Sequence, residues 1–128
     1  MKTIKKILFI LVIVFLLTAC GSKTESLQVT DPAKPIQANI GEDFQIVIES
    51  NPTTGYHWEV VGELNAVDFI NKDYKSTSDP NLVGGGGVDV WTFKAMSAGE
   101  INITLGYYPP SNTPTDPQQT TTFTVIVK

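Results

Sequence analysis

From residue 44 onward, apolar side chains recur at every second position. Phe44, Ile46 and Ile48 alternate with Gln45, Val47 and Glu49, and Trp58 and Val60 alternate with His57 and Glu59. Trp91 and Phe93 alternate with Val90 and Thr92, and Ile101, Ile103, Leu105 and Tyr107 with Asn102, Thr104 and Gly106. The last run sets Phe123, Val125 and Val127 against Thr122, Thr124 and Ile126. Successive side chains of a strand point to opposite faces, so this alternation, rich in β-branched and aromatic residues, predicts half-buried strands. No window shows the spacing of an amphipathic helix. Turn signals separate the runs at Asn39-Ile40-Gly41, Val61-Gly62, Ser97-Ala98-Gly99 and the proline-rich Pro109 to Pro117. Six or seven short strands in about a hundred residues predict an all-β fold, an immunoglobulin-like β-sandwich of about seven strands. Trp58 is expected between its sheets. The first strand falls at Leu27 to Val29 or near Pro35 to Ala38, and the pattern does not choose between them.

Residues 1–19 stand outside this pattern. Lys2, Lys5 and Lys6 precede an apolar run, Ile7 to Leu17, which is shorter than the roughly 20 residues a membrane-spanning helix requires. Leu17-Thr18-Ala19-Cys20 closes the segment. It resembles a bacterial lipoprotein signal peptide, which implies that Cys20 becomes a lipidated N-terminus; ordinary secretion with a free Cys20 is the competing reading. The polar stretch that follows, with Ser22, Thr24, Ser26 and Asp31-Pro32, reads as a tether, giving a lipidated N-terminus and flexible segment over 20–34 and a folded domain over 35–128. The protein is accordingly expected to be exported and lipid-anchored to the bacterial membrane or envelope, as a monomer.

Charge and cysteine content narrow the chemistry. The chain has nine lysines and no arginine, and removing Lys2, Lys5 and Lys6 takes the formal charge from −4 to −7. Such a surface argues against nucleic acid, phosphate clamping and attraction to anionic lipid, leaving the acyl chain as the membrane contact. Cys20 is the one cysteine, so disulfides and thiol catalysis are not expected. With His57 as the single histidine, no metal site or cofactor is expected either. Asp73, Asp79 and Asp89 lack calcium-loop spacing and read as solvating charges, and His57 as a surface or loop-supporting residue. No nucleophile elbow or placed carboxylate pair is present, so catalytic residues are not assigned.

Three connections are unusual. Asn51-Pro52-Thr53-Thr54-Gly55-Tyr56 joins two strands where an Asn-Gly hairpin would suffice. Pro52 fixes its own φ and restricts Asn51, while Gly55 permits positive φ, so the loop is stiff and reads as presented to a partner. Leu82-Val83-Gly84-Gly85-Gly86-Gly87 leads straight into the strand Val88 to Ala95. It lacks the Gly-Lys-Ser/Thr ending and following helix of a phosphate loop; it is either a flexible hairpin connection or a segment where backbone approaches a partner. Tyr107-Tyr108-Pro109-Pro110 opens a stiff loop with exposed aromatic candidates. In a sandwich, alternate connections gather at one end, so the three loops are expected to form one edge.

Asn51-Pro52-Thr53-Thr54-Gly55-Tyr56-His57-Trp58, and Gly84 to Gly87 followed by Trp91-Thr92-Phe93-Lys94-Ala95, resemble the chagasin-like family of cysteine protease inhibitors; Tyr107 and the strand Thr122 to Val127 fit the same pattern. The resemblance implies three loops inserted into the active-site cleft of a papain-like cysteine peptidase. Asn51 to Tyr56 would be the central loop, with Thr53 near the peptidase's nucleophilic cysteine, and the glycine loop would lie along the cleft. The family's third loop usually carries Arg-Pro-Trp where this chain has Tyr108-Pro109-Pro110, leaving Tyr107 or Tyr108 to supply a stacking surface; no binding role is carried onto Pro110. The alternative is an immunoglobulin-like envelope module that binds carbohydrate or a surface protein through Tyr74, Tyr107 and Tyr108.

Overall fold

The period-two runs become paired strands in the computed structural model, which describes residues 26–77, 81 and 85–128. The strands are β1 (Leu27–Val29), β2 (Ile36–Ala38), β3 (Asp43–Ser50), β4 (His57–Val61), β5 (Val67–Ser76), β6 (Gly87–Ala95), β7 (Gly99–Tyr108) and β8 (Gln119–Val127). They form two four-stranded sheets, ordered β1-β3-β6-β5 and β2-β8-β7-β4.

Both candidate first strands exist, one in each sheet. β1 runs parallel to β3, with Leu27 beside Phe44, and β2 runs parallel to β8, with Ile36 beside Val125. The chain changes sheets through a turn at Asp31, whose carboxylate accepts the Ala33 N–H at 3.0 Å and whose carbonyl accepts the Lys34 N–H at 3.2 Å. The β1 pairing lies inside the 20–34 stretch read as a tether. Three-residue strands are too short to show a period, which is why the pattern could not choose between them.

The inward positions of the alternation make the core. Phe44, Ile46, Phe93, Ile103, Leu105, Phe123 and Val125 are each 1% exposed or less. The Phe44 and Phe93 rings stack at 5.7 Å, and burying a side chain of this size contributes roughly 1.5–3 kcal/mol. Packing of this kind, with no disulfide among the described residues, holds the two sheets together.

β5 departs from the pattern. It is an edge strand, buried only at Val67, and its pairing with β6 slips in register between Phe69 and Asn71. The other strands run alternately toward and away from one end, so the β3–β4, β5–β6 and β7–β8 connections all emerge there.

Candidate functional site

Loop 1, residues 51–56, is built around a short 3-10 turn at Pro52–Thr54. Thr54 donates both its N–H, at 3.2 Å, and its hydroxyl, at 2.7 Å, to the Asn51 carbonyl. The Thr53 hydroxyl donates to Asn51 Oδ1 at 2.6 Å, and the Gly55 N–H to the Pro52 carbonyl at 3.1 Å. Gly55 ends the turn at φ 80°, where any side chain would be strained. Pro52, Thr53, Thr54 and Gly55 are all exposed, so a tip made rigid from within projects into solvent.

The root of this loop is clamped. Trp58 is 5% exposed, and its indole N–H donates to the Glu49 carbonyl at 2.9 Å, joining the residue before Ser50 to the first buried residue after the loop. Tyr107 stacks on Tyr56 at 5.1 Å and on Trp58 at 4.8 Å. It is half-buried, points inward beside Trp58 in the β4–β7 register, and supports loop 1. Tyr108 points to the outer face, where it stacks on His57 at 6.0 Å; His57 also bonds Glu59 Oε1 at 2.9 Å and so supports the neighbourhood of the loop.

Loops 1 and 3 touch through a residue to which the sequence assigned no role. A Cβ built on Gly55 would lie 3.0 Å from Cβ of Pro110, so Pro110 packs on the back of the loop 1 turn. The loop 3 chain past Pro109 is held by the Ser111 hydroxyl, 2.9 Å from the Thr113 carbonyl, and by the Gln118 N–H, 2.8 Å from the Tyr107 carbonyl.

Of loop 2, Leu82, Val83 and Gly84 lie outside the described residues, as do Cys20, the leader and Asp79. Gly85 and Gly86 are half-buried, and a Cβ on Gly86 would meet the Ser50 carbonyl of loop 1's root at an easy 3.8 Å. Gly87 belongs to β6. A Cβ there would run into the Lys75 carbonyl and the Tyr74 hydroxyl, so this glycine is required by the sandwich itself.

Asp89 is not a solvating charge. It is 4% exposed and paired with Lys72 at 3.3 Å. Its position in the β6 alternation, in phase with Trp91 and Phe93, was the signal that it faces inward. Asp73 is exposed, accepting the Asn71 amide at 2.9 Å.

Beneath loop 1 an open cleft of about 870 Å³ is lined by Ile48, Ser50, Trp58, Tyr107 and Phe123 among others, with Glu49 and Tyr107 as its ionisable residues. Among the described residues, no histidine, cysteine or lysine lines it. What the end of the sandwich offers is shape: a rigid exposed tip, a proline buttress and a glycine backbone.

The architecture defines an immunoglobulin-like sandwich of the kind seen in chagasin-like inhibitors. It resembles the crystal structure of a cysteine protease inhibitor from Entamoeba histolytica, with a TM-score of 0.65 at 21% identity over 80% of this chain and 95% of that one. It also resembles PbICP-C, whose structure was solved in complex with falcipain-2, with a TM-score of 0.52 at 21% identity over 80% and 98% of the two chains. In sequence, chagasin of Trypanosoma cruzi is 30% identical over 93 residues, covering 70% of this chain and 83% of that protein. Amoebiasin-1 of Entamoeba histolytica is 33% identical over 73 residues, covering 55% and 68%. Residues 37–127 match the family described as chagasin family peptidase inhibitor I42, and the chain belongs to that family. As its relatives are protease inhibitors, it is a non-enzyme.

Proposed function

We propose that this protein is a reversible inhibitor of papain-like cysteine peptidases that wedges three loops into the active-site cleft, and that lipid on Cys20 holds it at the bacterial membrane or envelope. The observation that carries the reading is loop 1: exposed at the tip, bonded to itself through Asn51, and buttressed by Pro110. A loop already ordered before contact loses little freedom on binding, which favours tight association and slow release. Small side chains at Thr53 and Thr54 enter where bulk would clash, and the glycines beside Ser50 let backbone lie along a cleft wall. That PbICP-C is found with falcipain-2 makes a papain-like enzyme the partner to try first.

The strand order suits anchoring. Leu27 pairs beside Phe44 at the start of β3, and β3 runs from there to loop 1, so the chain enters the sandwich at the pole opposite the loops. A lipid on the N-terminal side would leave the loops facing away from the membrane. The tyrosine-platform alternative gains nothing from the geometry: Tyr107 faces inward, Tyr108 outward, and Tyr74 lies in the other sheet.

The test is steady-state inhibition of papain by the full chain in detergent, beside a Thr53→Trp variant. Nanomolar, reversible inhibition by the first and at least a hundredfold loss in the second is expected. Full peptidase activity at micromolar wild-type protein, across papain and a panel of related enzymes, would overturn the reading.

A further inference from the structure

Lys72 sits where the two sheets come apart. It lies on β5 and Trp58 on β4, the edge strands of opposite sheets. Its ammonium is 3.3 Å from the Asp89 carboxylate, donates to the Trp58 carbonyl at 3.3 Å, and stands 4.8 Å from the centre of the Trp91 ring. An ammonium carries three N–H donors and is attracted to an aromatic face, so these contacts are compatible with one another. The Asp89 side chain is 5% exposed and that of Lys72 32% exposed.

Two of these partners, Asp89 and Trp58, stand near the roots of loops. Asp89 is on β6 just past Gly85 and Gly86, and Trp58, which follows loop 1, reaches back through its indole to Glu49 on the loop's other side. Lys72 therefore links the strand leaving loop 2 to the strand leaving loop 1, across a side of the sandwich that no backbone ladder closes. An apolar pair of the same volume would often serve stability as well as a buried ion pair does. What the ion pair adds is direction, since the carboxylate and the carbonyl fix where the ammonium lies.

We infer that Lys72 and Asp89 are positioning residues for inhibition: the pair sets the spacing between the roots of loops 1 and 2 without itself meeting the peptidase. This rests on the inhibitor reading above. The experiment compares the full chain in detergent micelles with Lys72→Met/Asp89→Leu, which removes both charges and strands neither. Three quantities are measured: papain dissociation rate, thermal midpoint, and hydrogen exchange by NMR of the Trp58 indole N–H and the Thr54 and Gly55 amides.

The expected result is a midpoint within a few degrees of wild type, exchange of those three protons at least tenfold faster, and dissociation at least tenfold faster. A merely structural role would instead speed exchange throughout β3, β6, β7 and β8, and that outcome overturns the inference. So does a variant with wild-type exchange and dissociation. Should the double variant fail to fold, Asp89→Asn, nearly isosteric, carries the same expectation and the same refutation. Should wild-type protein leave papain and its relatives active, the inhibitor reading falls, while the exchange pattern still decides whether the pair fixes loop 1.

Discussion

Gly55 and Pro110 meet at the tip of the sandwich, close enough that a Cβ on the glycine would stand 3.0 Å from that of the proline. Two loops far apart in sequence thus behave as one surface. Because Gly55 also sits at φ 80°, Gly55→Ala strains the backbone and pushes Pro110 away, and should cost about 1–2 kcal/mol. Urea unfolding checks the stability. Adding Pro110→Gly should relieve the contact and leave the backbone term, so the double variant recovers only in part.

The glycines of loop 2 are not equivalent. Gly87→Ala meets the Lys75 carbonyl and the Tyr74 hydroxyl and should destabilise by about 1–3 kcal/mol, as overpacking does. Gly86→Ala has the Ser50 carbonyl at 3.8 Å and should stay within about 0.5 kcal/mol of wild type. Thermal melts of the two variants, side by side, test whether the run of glycines divides at the start of β6.

Trp58→Phe keeps a ring in the core and removes the donor to Glu49. The lost hydrogen bond should cost about 0.5–1.5 kcal/mol, with a further term for the smaller ring, and weaken inhibition through a looser loop 1. An equal Ki in wild type and variant would show that the indole contact does not hold the loop.

Removing either member of the Lys72–Asp89 pair should have unequal effects. Lys72→Met leaves a carboxylate 5% exposed without its cation and should cost about 3–5 kcal/mol. Asp89→Asn leaves a lysine that is 32% exposed and free to turn toward water, so its cost should be smaller. Chemical denaturation of both variants measures the difference; equal losses would mean that the two charges are equally sheltered.

The legible parts of this fold are those where one face of a strand is buried and the other wet. Phe44, Ile46, Trp58, Phe93 and Leu105 announce themselves by contrast with their neighbours, and all lie between the sheets. β5 could not be read that way, since after Val67 its residues, Asp68, Asn71, Asp73 and Lys75 among them, show no alternation of buried and exposed positions. The partner of Asp89 lies on this strand, so the pattern leaves an inward carboxylate looking like a solvating one. The turn at Pro52 and Gly55 was written in residues with restricted or permissive backbones. Its support by Tyr107 and Pro110 was not, because a contact between distant loops leaves no mark on local spacing.

The exposed course of β5 bears on how copies of this protein treat one another. An edge strand ten residues long presents a template to which another chain can add. Asp68, Asp73 and Lys75 place charges along that edge, and the slip between Phe69 and Asn71 bends it out of register with a straight neighbour. A second molecule arriving edge to edge meets those charges and a ladder broken at the slip, which disfavours the straight pairing that edge-to-edge association needs.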